Sequence, residues 1–204
     1  MIEKDLSKPL FLERFNNVGG YTFENYPYFY KPALEGMKNE NDFEKKLRAY
    51  CESIHKIDLP YCVKWVTRKR AKNVGCYSLK GSTIELFQAN LLDLYDKNKI
   101  DIKKAETFML HEYAHLVKNW ICRWDNEMHG VVFESVLFNL RKLAKTKGLY
   151  YAALDVDNDY FHNRMKKNIV FEPVCERMGL DPKVMLNDND VIVTDNPNKL
   201  VYIY

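Results

Sequence analysis

Apolar residues recur at helical spacing in three separate segments of the chain. The segment 41–57 begins with Asn41 or Asp42 as a candidate N-cap, and its apolar stripe consists of Phe43, Leu47, Tyr50, Cys51 and Ile54. The segment 101–121 has Asp101 as a candidate N-cap, and 131–144 is followed by Gly148. The pattern therefore predicts three amphipathic helices.

Three short strand-like runs lie between the first two of these helices. They cover residues 61–67, 74–79 and 82–87, and Lys80-Gly81 between the last two runs indicates a hairpin. A short helix is predicted at 89–95. Helices and strands that follow one another in this way indicate an α+β fold in which a small antiparallel or mixed sheet packs on the helices.

The two ends of the chain show weaker patterns. A helix candidate at 9–15 precedes an aromatic segment, 21–30, which we expect to pack on the core. Near the C-terminus the pattern predicts a helix at 164–178 ended by Gly179, and a short element opened by Asp181-Pro182. A terminal hairpin is predicted from the apolar runs 191–194 and 200–204, which flank the turn sequence 195–198.

The predicted helix 101–121 carries the sequence His111-Glu112-Tyr113-Ala114-His115, which reads H-E-x-x-H. Residues four apart lie one above the other on a helix, so His111 and His115 can bind one metal ion through two imidazoles. Glu112 lies about 100° round the helix and can reach a water on that metal. Leu110, Ala114, Val117 and Ile121 fall on another face, which we expect to bury against the sheet. The motif predicts a zincin-type Zn²⁺ site with Glu112 as the catalytic base.

A catalytic zinc site needs a third protein ligand, with a water in the fourth position. Two candidates follow the motif: His129, 14 residues after His115, and Glu134, 19 residues after it. Five residues on an ideal helix separate the two side chains by about 140°, so they are not expected to bind the same ion. We favour His129, because Gly130 beside it would let backbone pass close to the metal. Glu134 stays open as the alternative, of gluzincin type.

Charge and composition narrow the class of protein. The net charge of +3 is too small to indicate nucleic-acid binding by itself. A basic cluster around Trp65 is the candidate nucleic-acid-binding surface; it consists of Lys64, Arg68, Lys69, Arg70 and Lys72. The five cysteines form no C-x-x-C pair, which predicts reduced thiols without a cysteine zinc ribbon. The first residues have no signal-peptide pattern and no apolar run approaches 18 residues, so we expect a cytoplasmic protein without a membrane partner.

These residues together resemble the metalloprotease core of the SprT-like family, which includes DNA-protein crosslink proteases. The resemblance rests on the H-E-x-x-H motif, His129-Gly130 and Phe133, and it extends upstream to Trp65, Gly75 and the strand 83–86. It covers about residues 41–147. It implies a minimal zincin-like core at 41–148, preceded by an aromatic-rich segment, 1–40, and followed by an appendage, 149–204.

The resemblance also implies a zinc-dependent peptidase with His111, His115 and His129 as ligands and a protein or peptide substrate; DNA is a second candidate partner, because some members couple to it. We expect hydrolysis through a zinc-activated water from which Glu112 removes the proton. Tyr113 follows Glu112 round the helix, away from the face that carries the histidines. It is therefore poorly placed to stabilise the oxyanion of the tetrahedral intermediate. The competing hypotheses are a DNA- or protein-binding module with a structural zinc, and a gluzincin-like peptidase that uses Glu134.

Overall fold

The computed structural model describes residues 26–57, 59–67, 74–78, 82–122, 127–149, 159–187, 191–193 and 200–202. The chain divides into two compact units, Met1–Trp124 and Asp125–Tyr204. The helix predicted at 9–15 and the first half of the aromatic segment lie outside the described residues. Among the helices described, none has the length and apolar character needed to cross a membrane.

The described part of the first unit is mixed α and β, as the sequence predicts. Its elements in chain order are α1 (Tyr26–Asn39), α2 (Asp42–Ile54), β1 (Cys62–Val66), β2 (Gly75–Ser78), β3 (Thr83–Phe87), a 3₁₀ turn (Gln88–Asn90) and α3 (Ile102–Ile121). The apolar pattern does not predict α1, because Pro32 lies inside it and proline lowers helix propensity. Gly36 brings α1 close to β1: a Cβ added there would meet Cys62 Sγ at 2.5 Å.

The sheet has the order β1-β3-β2. β1 pairs with β3 in parallel, with Cys62 opposite Thr83, and β2 pairs with β3 antiparallel, with Ser78 opposite Thr83. The hairpin expected between β2 and β3 is confirmed, although its turn residues 79–81 lie outside the described ranges. The three strand predictions are correct to within one or two residues at each end.

Two glutamates occupy the outer edge of β1, on the side away from β3. The Val63 N–H donates to Glu40 Oε1 at 2.9 Å, and the Trp65 N–H donates to Glu44 Oε1 at 2.6 Å. Glu44 Oε2 also accepts from the Asn41 N–H, which completes the capping box at the start of α2. The acidic first turn of α2 thus caps its own helix and satisfies the edge of a strand, which protects that edge from further pairing.

We expect Glu40→Ala to lower the free energy of unfolding by about 2–3 kcal/mol, because it removes the partner of two donors. The Glu40 side chain has no exposed area, and it also accepts from Arg48 Nε at 2.8 Å. Urea unfolding followed by circular dichroism measures the change. Glu35→Ala is the matched control. The Glu35 carboxylate pairs with Lys31, both side chains are more than 60% exposed, and the expected change is within about 0.5 kcal/mol. Equal midpoints for the two variants would contradict the edge role of Glu40.

The helix that carries the motif begins and packs as predicted. Asp101 Oδ1 accepts from the Lys104 N–H at 3.0 Å as the N-cap. The expected apolar face is fully buried; it consists of Leu110, Ala114, Val117 and Ile121. Tyr113 is also fully buried, and its hydroxyl donates to the carbonyl oxygen of His55 at 2.6 Å. This bond ties the middle of α3 to the end of α2.

The prediction of a helix at 89–95 is wrong. Only the 3₁₀ turn Gln88–Asn90 forms, and a turn-rich segment follows it as far as a bridge between Leu92 and Ile100. Asp93 explains the difference, because its Oδ1 accepts from the N–H groups of Tyr95 and Asp96 at 2.8 and 3.0 Å. A side chain that bonds to nearby backbone in this way offers an alternative to helix.

The described part of the second unit consists of α4 (Val131–Thr146), α5 (Asp159–Lys166), α6 (Phe171–Arg177), α7 (Pro182–Met185) and the strands β4 (Val191–Val193) and β5 (Leu200–Tyr202). The predicted terminal hairpin is confirmed by antiparallel pairing of β4 with β5. Gly148 and Gly179 follow α4 and α6 with φ of 66° and 71°, the left-handed conformation of a helix C-terminus. Cys175 here and the four cysteines of the first unit are free thiols, as the sequence predicts.

The single helix predicted at 164–178 is two helices, α5 and α6, separated at residues 167–170. Asn168 makes the break: its Oδ1 accepts from the Val170 N–H at 3.1 Å, and its Nδ2 donates to Ser135 Oγ at 2.8 Å and to the Val131 carbonyl at 3.1 Å. The interruption therefore depends on contacts with α4, which the local sequence does not reveal.

Candidate metal centre

His111 and His115 lie one turn apart on α3, as the motif predicts. Their ring centroids are 5.2 Å apart, with an interplanar angle of 79°. His115 is 8% exposed and His111 is half-buried. Because α3 is a continuous helix anchored by its buried face and by Tyr113, the two imidazoles are presented from a rigid element.

Glu112 is buried between α3 and strand β2. A Cβ added at Gly75 would lie 3.1 Å from Glu112 Cγ, so glycine lets the strand approach this side chain without displacing it. The Glu112 carboxylate accepts a hydrogen bond from the backbone N–H of Tyr77. Burial raises the pKa of Glu112 to about 7, while the bond from Tyr77 acts in the opposite direction. Sequence reasoning missed the roles of Gly75 and Tyr77, and a glycine inside a strand was the only signal for them.

His129 immediately precedes α4 and its side chain is exposed. Its ring packs edge-on against Phe133, with centroids 4.8 Å apart. Gly130 is the N-cap of α4. A Cβ added at Gly130 would meet the Glu127 side chain, so the glycine leaves room for that side chain.

The three histidines form a group that fits a metal ion. One ligand nitrogen from each of His111, His115 and His129 lies within 4.8 Å of the other two. Ligand nitrogens at about 2.0–2.1 Å from a tetrahedral zinc ion are about 3.3 Å apart, which is within the 4.8 Å that spans this group. Three imidazoles are also a donor set that suits zinc and leaves a fourth position open.

Glu134, the alternative third ligand, has a different partner. Its Oε1 accepts from Arg164 Nη2 at 2.7 Å, and the two side chains are 28% and 44% exposed. Within the described part of the chain, the group of candidate ligands contains His129 and does not contain Glu134. The contacts therefore favour His129 over Glu134.

One of the five residues expected to bind nucleic acid lies in the described part of the chain. Lys64 lies on β1 with an exposed side chain. Arg68, Lys69, Arg70 and Lys72 lie outside the described residues. The nucleic-acid interface stays a prediction from sequence.

Tyr113 does not point a hydroxyl into the group of histidines, because that hydroxyl is bonded to the carbonyl of His55. Its ring lies 5.4 Å from that of Tyr61, in the core of the first unit. Burial raises the pKa of Tyr113 well above its usual value of 10. The residue therefore acts as an anchor for α3.

Comparison with known proteins adds no relative. No protein-family model matches the chain, and no significant match is found among curated proteins or solved structures.

Proposed function

We propose that this protein is a zinc-dependent peptidase of SprT-like type that hydrolyses protein substrates. The observation that carries the proposal is the combination of three clustered imidazoles with a carboxylate that lies in the same five-residue motif as two of them. His111, His115 and His129 offer the ligand atoms, and Glu112 offers the base. The resemblance of residues 41–147 to the SprT-like core supports the same assignment.

The three histidines would hold the zinc ion through one ring nitrogen each. When bound, zinc would lower the pKa of a water toward about 7 and polarise the scissile carbonyl. His111 and His115 would hold the ion from one helix, and His129 would hold it from the turn before α4. The exposure of His129 supports access of a protein chain to this ligand.

Glu112 would act as the general base and then as the general acid. Its carboxylate would take a proton from the attacking water and return it to the leaving amine nitrogen, so that the enzyme ends in its starting state. Glu112 follows His111 in the motif, and in an H-E-x-x-H helix this position would let the carboxylate reach a water on the metal.

The burial of Glu112 favours a catalytic site over a structural one. Glu112 as a residue is 7% exposed, and a buried carboxylate is costly to desolvate; the ligand group found in the described residues contains only histidines. A structural zinc would need no carboxylate beside it. A base that must exchange a proton with water at the metal explains why the side chain is kept there.

Metal removal and reconstitution test the proposal on the full chain. We expect the purified protein to contain about one zinc per chain by elemental analysis and to cleave an unfolded protein such as casein. A zinc chelator should abolish cleavage, and Zn²⁺ added back after dialysis should restore it, because the ion supplies the Lewis acid. A zinc-replete, folded protein that cleaves neither casein nor other unfolded proteins would contradict the peptidase assignment and favour a structural zinc.

A further inference from the structure

Gly75 and Tyr77 of strand β2 have backbone groups that do not take part in the pairing with β3. The Phe87 N–H donates to the Val74 carbonyl at 2.8 Å, which identifies Val74 as a residue whose backbone faces β3. In an antiparallel pair such residues alternate, so Cys76 and Ser78 also face β3, whereas Gly75 and Tyr77 direct their N–H and carbonyl groups to the outside. The Tyr77 N–H is therefore available to a group on α3.

Gly75 determines how closely the strand approaches the helix. A Cβ at this position would lie 2.8 Å from Leu86 Cδ2, 3.0 Å from the Glu85 carbonyl oxygen and 3.1 Å from Glu112 Cγ. Two of these neighbours are in the sheet and the third is the proposed base. The absence of a side chain at Gly75 lets the strand lie directly on Glu112, and two residues further along the Tyr77 N–H bonds to the carboxylate.

We propose that Tyr77 is a positioning residue whose backbone N–H holds the Glu112 carboxylate in the orientation in which it acts as general base. The inference rests on the proposed peptidase function and adds the group that orients the base. A glutamate side chain has three rotatable torsions, and the bond from Tyr77 fixes the terminal one. Since the donor is backbone, the Tyr77 side chain is not required for this role.

Proline at position 77 removes the N–H while leaving the pairing of β2 with β3 intact. The Tyr77 N–H faces away from β3, and proline is tolerated where a strand N–H points out of the sheet. The residue before a proline must be extended, and Cys76 already is, as part of β2. Tyr77→Ala is the matched variant, because it deletes the side chain and keeps the N–H.

We expect kcat of Tyr77→Pro on an unfolded-protein substrate to be about 10–100-fold below that of Tyr77→Ala, the range seen when an orienting partner is lost. KM should agree within about twofold, since the N–H does not contact substrate. Zinc content should be equal in the two variants. Tyr77→Pro should have a somewhat lower Tm, because the buried Glu112 carboxylate loses a donor, and should still be folded at the assay temperature. Equal kcat values would overturn the proposal, and so would a rise in KM with kcat unchanged, because the N–H would then serve the substrate.

If Tyr77→Pro does not fold, a backbone ester at position 77 tests the role of the N–H. Replacing Tyr77 by its α-hydroxy acid keeps the side chain and the extended backbone. It replaces the N–H by an ester oxygen and weakens the Cys76 carbonyl as an acceptor toward β3. The ester protein should show the same selective loss of kcat relative to the unmodified chain, and full activity would overturn the proposal.

Failure of the proposed peptidase function can be distinguished from failure of the Tyr77 proposal. A folded, zinc-replete wild type without activity would remove both proposals. An active wild type that Glu112→Gln inactivates, with equal kcat in Tyr77→Pro and Tyr77→Ala, removes only the role of Tyr77.

Discussion

Glu112→Gln is expected to lower kcat on an unfolded-protein substrate by about 10²–10⁴-fold, the contribution typical of a positioned general base. Glutamine has nearly the same shape and can still accept the Tyr77 N–H, but it cannot take up a proton at neutral pH. The histidines are unchanged, so zinc content should match that of the wild type. Single-turnover cleavage and elemental analysis on the same preparation measure both quantities.

Glu106→Gln is the matched control for that experiment. Glu106 lies on the same helix, six residues before Glu112, and is outside the group of candidate ligands. It makes the same chemical replacement on the same helix, and activity within about twofold of the wild type is expected from a substitution away from the site. If Glu112→Gln cleaved as fast as Glu106→Gln, the assignment of the general base would be wrong.

His129→Ala and Glu134→Ala are expected to separate the two candidates for the third ligand. Losing a residue that hydrogen-bonds to a metal ligand typically weakens metal binding 10–100-fold, and losing one of three imidazole ligands should weaken it more. His129→Ala should therefore lose zinc on dialysis, and with the zinc its activity. Glu134→Ala should retain one zinc per chain, because the carboxylate pairs with Arg164. Competition with a chromogenic chelator measures the affinity of each variant.

Stability measurements complete the comparison of these two variants. The Glu134–Arg164 pair is partly exposed, so its loss should lower the free energy of unfolding by no more than about 1 kcal/mol. Glu134→Ala should therefore be folded under assay conditions, which makes its zinc content interpretable. Loss of zinc in Glu134→Ala alone, with His129→Ala replete, would exclude His129 as the ligand and favour the gluzincin-like alternative.

Local sequence predicted the elements that carry most of the candidate site. The 3.6-residue period of α3 and its Asp101 cap are local properties, and they bring His111 and His115 to one face without reference to the rest of the fold. The same reasoning predicted the strands and the hairpin between β2 and β3. Local pattern failed where a side chain competed with the backbone, as Asp93 does after the 3₁₀ turn, or where a distant element intervened, as α4 does at Asn168.

The roles of several residues were not predictable from their neighbours in sequence. Glu44 lies in the first turn of α2, yet one of its oxygens accepts from the Trp65 N–H, 21 residues away. Gly130 was expected to let backbone pass close to a metal, and the structure shows that it leaves room for Glu127. In both cases the residue type was informative, but its partner depended on the packing.

The sequence by itself determined the helical frame of His111, Glu112 and His115, because spacing along one helix depends only on local geometry. It also narrowed the third ligand to His129 and Glu134. Only the tertiary structure favoured one of them, by pairing Glu134 with Arg164 and grouping His129 with the other histidines. It also decided that β2 lies on Glu112, through Gly75 and the Tyr77 N–H. These contacts join residues distant along the chain, and their partners are chosen by packing that no local pattern encodes.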